Sequence, residues 1–137
     1  MTDGDDELRI VLQRISRSIR NNRAEGDLGD TQLSVLFHLD AHGASTPSEL
    51  ATFEHVTPPS MNRTLNGLEE AGYVTRTRSA DDARKVVIDL TPAAETLLAE
   101  TRRLRTAWFS QRLAILDPAE RAALDAVLPI LRKLAQS

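Results

Sequence analysis

The 137-residue chain has no cysteine and few aromatic residues, which make up 4% of the sequence. Without cysteine it can form no disulfide, bind no metal through thiolates and sense no oxidant through a thiol. Because apolar residues still reach 41% of the chain, we expect a helix-rich, aliphatic interior. The length fits one domain, or one domain with an appended dimerisation arm.

Signals for membranes, export and catalysis are also missing. No apolar run approaches the roughly 20 residues that span a bilayer. The N-terminus is acidic from Asp3 to Glu7, unlike a secretory signal, so a cytoplasmic protein with no membrane partner is predicted. The sequence has no Gly-rich phosphate loop, evident carboxylate pair or nucleophile elbow, and we therefore expect neither an enzyme nor a cofactor.

The charged residues are unevenly distributed. The formal net charge is −3, which argues mildly against a nucleic-acid-binding protein, since such proteins often carry a positive excess. However, residues 31–62 contain no lysine or arginine, and the next basic residues are Arg63, Arg76, Arg78, Arg84 and Lys85. The cations are thus grouped in one segment, and the N-terminal acids can lie away from a phosphate backbone.

The apolar spacing predicts six helices. They cover residues 7–23, 31–42, 47–54, 58–71, 93–116 and 118–135. Thr-Pro pairs mark three of the starts, because threonine caps a helix and proline suits its first position. Asp30 and Asp117 are predicted caps of two others, and Gly43 and Gly72 are placed to end helices with a positive φ.

The helix at 58–71 has two distinct faces. Met61, Leu65 and Leu68 recur at i, i+4 and i+7 and are predicted to face the core. The opposite face carries short polar or cationic side chains together with one proline: Pro59, Ser60, Asn62, Arg63 and Asn66. Since the acids of this helix lie at its C-terminal end, its N-terminal half is suited to approach phosphate through the helix dipole and free N–H groups.

Two short strands are predicted next, at residues 73–78 and 85–90. In the second, Val86, Ile88 and Leu90 alternate with Val87 and Asp89. The loop between them, residues 79–84, ends on Arg84. An arginine at the edge of such a hairpin can enter a minor groove, whose negative potential attracts it. Two capped helices, a short turn and a hairpin together define a winged helix-turn-helix.

The predicted fold is mainly α-helical with a small β-wing. We assign the winged helix-turn-helix to residues 30–91, an N-terminal dimerisation helix to 1–29, and a long helix with a C-terminal dimerisation helix to 92–137. The apolar stripes of the flanking helices exceed what so small a core can cover. An isologous two-fold homodimer is therefore expected.

Three marks in this sequence resemble the MarR family of bacterial transcription regulators. They are the run EEAGYV at 69–74 that joins helix to wing, the Asp82-x-Arg84 wing tip, and the Leu90-Thr91 step into a long helix. The flanking helices also fit, so the resemblance covers nearly the whole chain. It implies a transcription regulator, usually a repressor, that binds a pseudo-palindromic operator as a homodimer, with two reading helices about 34 Å apart in successive major grooves.

The resemblance also implies roles for individual residues. Arg84 would enter the minor groove, and Asp82 would hold the wing or this arginine through a charge-assisted hydrogen bond; the alternative is an ordinary surface ion pair. The exposed face of the helix at 58–71 would meet the major groove, where arginine suits guanine and asparagine suits adenine. The predicted DNA-binding residues are Thr46, Ser48, Thr57, Pro59, Ser60, Asn62, Arg63, Asn66, Arg76, Arg78, Asp82, Arg84 and Lys85.

Members of the family commonly bind small aromatic or phenolic anions between the dimer region and the wing domain, which implies such an effector here. The candidate ligand-binding residues are Arg14, Arg17, His38 and Trp108. Three of them have a plainer alternative. The arginines of the first helix can form a solvated face, and a tryptophan on an apolar stripe can belong to the core or the dimer interface.

Two other functions stay open at this point. A winged helix can serve as a protein-interaction module without binding DNA. His38 and His42, at i and i+4, share a helix face at a spacing that can bind Zn²⁺, so a metal-responsive regulator is the second alternative. No cysteine or suitably spaced acid completes such a site, and we predict no bound metal.

Overall fold

The computed structural model describes residues 3–24 and 28–136, and these ranges hold six helices and one two-stranded antiparallel sheet. In chain order the elements are α1 (Asp3–Asn21), α2 (Asp30–His42), α3 (Pro47–Glu54), α4 (Pro58–Glu70), β1 (Val74–Arg78), β2 (Val86–Leu90), α5 (Pro92–Leu113) and α6 (Pro118–Ala135). The predicted fold, mainly helical with a small β-wing, is confirmed. No helix within these ranges combines the length and the hydropathy needed to cross a membrane.

The chain divides into two compact units. The winged-helix unit is Arg23–Arg102, and the helical unit comprises the residues up to Asn22 together with those from Arg103 onward. The winged-helix unit therefore contains α2, α3, α4, both strands and the first half of α5. The helical unit contains α1, the second half of α5 and α6, which are the elements predicted to take part in dimerisation.

The core of the winged-helix unit holds one face of α4. Met61, Leu65 and Leu68 are each 0% exposed, as the helix projection predicted. They pack in one cluster with Leu33, Val35, Leu36, Leu39, Leu50, Ala51, Val74, Ile88, Ala94 and Leu98. Burying a leucine or methionine stabilises a fold by about 1.5–3 kcal/mol, so these three anchors decide which face of α4 stays in contact with solvent.

The start of α2 differs from the prediction in its capping residue. Asp30 is the first helical residue, and Gly29 occupies the cap position. The Gly29 N–H donates to Gln32 Oε1 at 3.0 Å. Asp30 instead accepts a hydrogen bond from Arg23 at 2.5 Å, so its carboxylate is engaged by a cation of the preceding segment.

Two helices end on glycine, as predicted. Gly43, after α2, and Gly72, after α4, both have φ of 85°. At the end of α4 the Tyr73 N–H donates to the Leu68 carbonyl at 2.9 Å and the Gly72 N–H to the Glu69 carbonyl at 3.0 Å. This pair of bonds is a Schellman motif, which turns the chain sharply from α4 into the first wing strand.

The second strand of the wing attaches it to the core. β1 and β2 pair antiparallel in a register that sets Val74 opposite Leu90. On its other side β2 forms a bridge to Ser45: Ser45 N donates to Ile88 O at 3.1 Å, and Ile88 N donates to Ser45 O at 2.8 Å. This isolated bridge attaches the wing to the segment between α2 and α3.

In the helical unit, α5 supports the end of α1. Arg105 Nε donates to the Asn22 carbonyl at 3.2 Å. No described residue of α1 is buried. Five of its apolar side chains are instead 38–55% exposed: Leu8, Ile10, Val11, Leu12 and Ile15.

The last helix begins as predicted and is also apolar on its surface. Asp117 caps α6 by accepting from Glu120 N at 2.8 Å, and Glu120 Oε1 accepts from Asp117 N at 3.0 Å. Along α6, Val127, Ile130 and Leu134 recur at i, i+3 and i+7 and are 37%, 60% and 58% exposed. The chain by itself therefore leaves an apolar stripe on α6 in contact with solvent.

Candidate nucleic-acid interface

The face of α4 opposite the core is polar and accessible. Asn62, Arg63 and Asn66 are exposed and Ser60 is half-buried. The first turn of α4 contains no acidic residue, so nothing there repels a phosphate. This face places short hydrogen-bonding side chains and one cation on a single helix surface, which is the chemistry that reads base edges in a major groove.

The N-terminus of α4 offers few backbone donors. Pro58 and Pro59 have no N–H, and the N–H of Ser60 donates to Thr57 Oγ1 at 3.2 Å. These three positions therefore present no free N–H to a phosphate, in contrast to the expectation from the helix dipole. The Thr57 hydroxyl accepts in the cap and keeps its own proton, which it can donate to a phosphate oxygen. Pro59 is exposed beside it.

The start of α3 is built on the same pattern with one difference. Thr46 Oγ1 accepts from Glu49 N at 3.1 Å, and Pro47 is the first helical residue. The second helical position is Ser48, which is exposed and has both an N–H and a hydroxyl. Unlike the N-terminus of α4, this helix end presents a backbone donor for phosphate.

The turn between the two helices is tight. His55 has φ of 55°, in the left-handed region, and the Val56 N–H donates to the Ala51 carbonyl at 3.0 Å. The turn brings Thr57 directly to the start of α4. Helices α3 and α4 with this turn form a helix-turn-helix, and β1–β2 are its wing.

The side chain of Arg76, in β1, is held against α4. Its Nη2 donates to Asn66 Oδ1 at 2.6 Å, and its Nε lies 3.5 Å from Glu69 Oε1. The Nε atom is buried and has no hydrogen bond, so the contact with Glu69 is an ion pair without hydrogen-bond geometry. The structure thus joins two residues, Asn66 and Arg76, that the sequence placed separately at the interface.

Arg78 and backbone bonds shape the wing loop. Arg78 Nη1 donates to the Ala83 carbonyl at 2.8 Å. Across the loop, Ser79 N donates to Lys85 O at 2.8 Å and Lys85 N to Asp82 O at 2.9 Å. Arg78 therefore has a structural contact in the loop, while Lys85 at the end of the loop is exposed.

The tip of the wing carries an extended cation. Asp82 Oδ1 accepts from the Arg84 backbone N–H at 3.0 Å and lies 3.5 Å from Arg84 Nε. The Arg84 side chain is 93% exposed. The main contribution of Asp82 is to order the backbone at the tip, and the guanidinium of Arg84 stays accessible to a nucleic acid.

Two of the four candidate effector residues line one cleft in the helical unit. This cleft has a volume of about 550 Å³, and its lining includes Arg14 and Trp108. Arg112, which the sequence analysis missed, stacks on Trp108 with its guanidinium carbon 5.2 Å from the ring centroid. The i, i+4 spacing of these two residues on α5 was the available signal. Arg17, the third candidate, is exposed on α1.

The fourth candidate, His38, lies in the winged-helix unit among other rings. Its ring stacks on His42 at 4.3 Å and is tilted against Phe53 at 4.0 Å. Burial, and secondarily the charge of His42, lowers the pKa of His38 below its ordinary value. Within the described ranges no three histidine or acidic side chains are grouped so that they could hold a metal ion.

The fold and this surface define a winged helix-turn-helix protein, and similarity to known proteins narrows the class. A model of the MarR family matches residues 28–86. The HTH-type transcriptional regulator Mb0904 of Mycobacterium bovis is 33% identical over 138 residues, which cover 98% of this chain and 96% of that protein. A transcriptional regulator of known structure from Pseudomonas aeruginosa matches 99% of both chains with a TM-score of 0.84 and 32% identity.

The chain therefore belongs to the MarR family of DNA-binding transcription regulators. The same fold occurs in a mutant of the Staphylococcus aureus regulator MepR that was solved bound to an oligodeoxyribonucleotide. That structure has a TM-score of 0.72 with 20% identity and covers 98% of this chain and 99% of its own. Membership in the family favours DNA binding over the alternative of a winged-helix protein-interaction module.

Proposed function

We propose that this protein is a homodimeric, ligand-responsive repressor that binds a pseudo-palindromic operator. The observation that carries the proposal is the pairing of an acid-free polar face on the N-terminal half of α4 with a 93% exposed Arg84 at the wing tip. The first suits a major groove and the second a minor groove. Two such surfaces related by a two-fold axis would read two half-sites.

The dimer is supported by the exposed apolar side chains of the helical unit. Soluble monomers rarely expose contiguous apolar patches of large area. Here α1 and α6 both carry apolar side chains in contact with solvent, and neither helix has a buried residue among those described. A second copy of the chain, joined through the same surfaces in an isologous contact, would cover them.

On the operator, α4 would supply the base contacts and the other elements the phosphate contacts. Asn62 and Arg63 are exposed on the recognition helix and would contact base edges, with Arg63 suited to guanine. Thr46, Ser48 and Thr57 would donate hydrogen bonds to phosphates. Lys85 and Arg84 would supply much of the electrostatic attraction, because α4 contributes one cation.

Repression would follow from occupancy of the promoter, and release from a change in half-site spacing. The cleft beside Trp108 has a volume within the range of small-molecule sites, about 300–1,000 Å³. An aromatic face and the arginines Arg14 and Arg112 at this cleft suit an aromatic anion. A ligand that binds one dimer conformation more tightly would shift the population away from the DNA-binding form.

Selection of duplexes from a randomised library, followed by footprinting of the best one, tests this function. We expect an inverted repeat whose two half-sites are centred about 10–10.5 base pairs apart or a multiple of this. Light scattering of the complex should give two chains per duplex. Selection of no sequence, or of a single asymmetric site bound by one chain, would contradict the proposal.

A further inference from the structure

The contact between Arg76 and Asn66 restricts what the recognition helix can read. Arg76 Nη2 donates to Asn66 Oδ1 at 2.6 Å. A guanidinium has donors and no acceptor, so the amide must turn its oxygen toward Arg76. One lone pair of that oxygen is then used and its direction is fixed, so the amide nitrogen, with two donors, is the group that Asn66 presents more readily to DNA from its exposed position on α4.

We propose that Arg76 is a specificity-determining positioning residue, which fixes Asn66 as a hydrogen-bond donor on the DNA-reading face. This inference rests on the proposed sequence-specific binding. An asparagine that is free to use both amide atoms pairs bidentately with the N6 and N7 atoms of adenine. With its oxygen held by Arg76, Asn66 favours an acceptor edge instead, such as guanine N7 and O6 or thymine O4.

The surroundings of Arg76 hold it in this position. Its side chain is 26% exposed, and its Nε atom is buried 3.5 Å from Glu69 Oε1. Arg76 also lies in the β1–β2 ladder, opposite Ile88, which is completely buried. The strand fixes the backbone of Arg76, and the carboxylate of Glu69 attracts its guanidinium. Arg76 therefore acts on DNA through Asn66 rather than as a mobile surface cation.

The experiment measures the base preferences of the wild-type protein and of variants on duplexes that the wild-type protein selects from a randomised library. Arg76→Met keeps the length of the stem and removes the donors. At the position read by Asn66, the preference for guanine or thymine over adenine should fall by about threefold or more. Arg76→Lys, which keeps a donor, should retain most of the wild-type preference, and Asn66→Ala should abolish it.

The salt dependence of binding separates this role from a phosphate contact. Arg76→Met should leave the slope of log Kd against log salt concentration unchanged, whereas the loss of a phosphate contact lowers it by about one unit. The double variant Arg76→Met with Asn66→Ala should match Asn66→Ala alone. A uniform loss across sequences with a reduced slope, or an unchanged base preference, would overturn the inference.

Two controls keep the result interpretable. Circular dichroism and thermal unfolding check that Arg76→Met is folded; if it is not, Asn66→Asp replaces it. Asn66→Asp still accepts from Arg76 and has no outward donor, so the preference for an acceptor base should be lost, and its retention would overturn the inference. If the wild-type protein selects no sequence at all, that result contradicts the proposed function rather than the positioning role of Arg76.

Discussion

Thr91 Oγ1 donates a 2.6 Å hydrogen bond to the Gly72 carbonyl, and so ties the start of α5 to the end of the recognition helix. The same oxygen accepts from Ala94 N at 3.3 Å and caps α5. The Thr91 N–H donates to Tyr73 O at 3.1 Å. Thr91 thus joins the two ends of the chain segment that forms the wing. This gives a physical reason for a threonine directly after Leu90, the last residue of β2.

Replacement of Thr91 by valine should therefore destabilise the winged-helix unit. Val keeps the shape and removes the hydroxyl, so the Gly72 carbonyl and the Ala94 N–H both lose a partner. We expect the free energy of unfolding to fall by about 1–2 kcal/mol in urea titrations. Thr91→Ser retains the hydroxyl and should recover most of this loss. Equal stability of the valine and serine variants would contradict the assigned role.

Arg84→Ala tests the wing. Since the guanidinium is 93% exposed and lies at the tip, its removal should weaken operator binding and reduce the salt slope by about one unit, while thermal stability stays unchanged. Arg121→Ala, which removes an exposed cation from α6 in the helical unit, is the matched control and should leave the slope unaltered. Identical salt titrations for Arg84→Ala and wild type would exclude a wing contact with DNA.

Arg63→Ala tests the recognition helix. Its exposed cation should contact a guanine, and its loss should cost about 1–3 kcal/mol at one base position and relax specificity there. Binding to a set of duplexes, each changed at one position, measures this directly. A loss of similar size on every duplex would instead mark Arg63 as a phosphate contact.

Ile130→Glu tests the dimer. Because this side chain is 60% exposed, a carboxylate there costs the folded chain little, but it would be costly inside an apolar interface. Light scattering should show a monomer that remains folded and binds operator weakly. Ile115→Glu, at an even more exposed position (76%) outside the helices, is the control and should stay dimeric. A dimeric Ile130→Glu variant would remove this face of α6 from the interface.

His38 should make stability depend on pH. Burial and then the charge of His42 lower its pKa from the ordinary 6.5, while Glu54 and Glu49 act in the opposite direction. As the pH falls through about 6.5, the unfolded chain takes up a proton that the folded chain resists, so stability should decline from there down to the pKa of His38 in the folded protein.

His38→Phe, which keeps a ring against Phe53, should weaken this decline in urea titrations between about pH 5 and 8. His55→Asn is a suitable control, because His55 is exposed and asparagine tolerates its left-handed backbone. If His38→Phe lost stability with falling pH as steeply as wild type, His38 would not be the source of the dependence.

The amino-acid sequence was sufficient to predict the order and type of the helices and strands, and which face of α4 is buried. Thr57, Pro58 and Gly72 mark the two ends of that helix through local bonding, and Met61, Leu65 and Leu68 mark its buried face through periodicity. Such signals act over one or two helical turns, so they can be recognised without the rest of the fold. The family marks around Asp82 and Arg84 were readable for the same reason.

Contacts between distant segments were decided by the tertiary structure alone. No pattern in the sequence shows that Arg76 meets Asn66, because the Schellman turn and the register of β1 with β2 determine where that side chain lies. The same holds for the isolated bridge at Ser45, which exists through its pairing with Ile88. Pairing and packing across the chain depend on where whole elements dock, and this depends on the complete core rather than on any local run of residues.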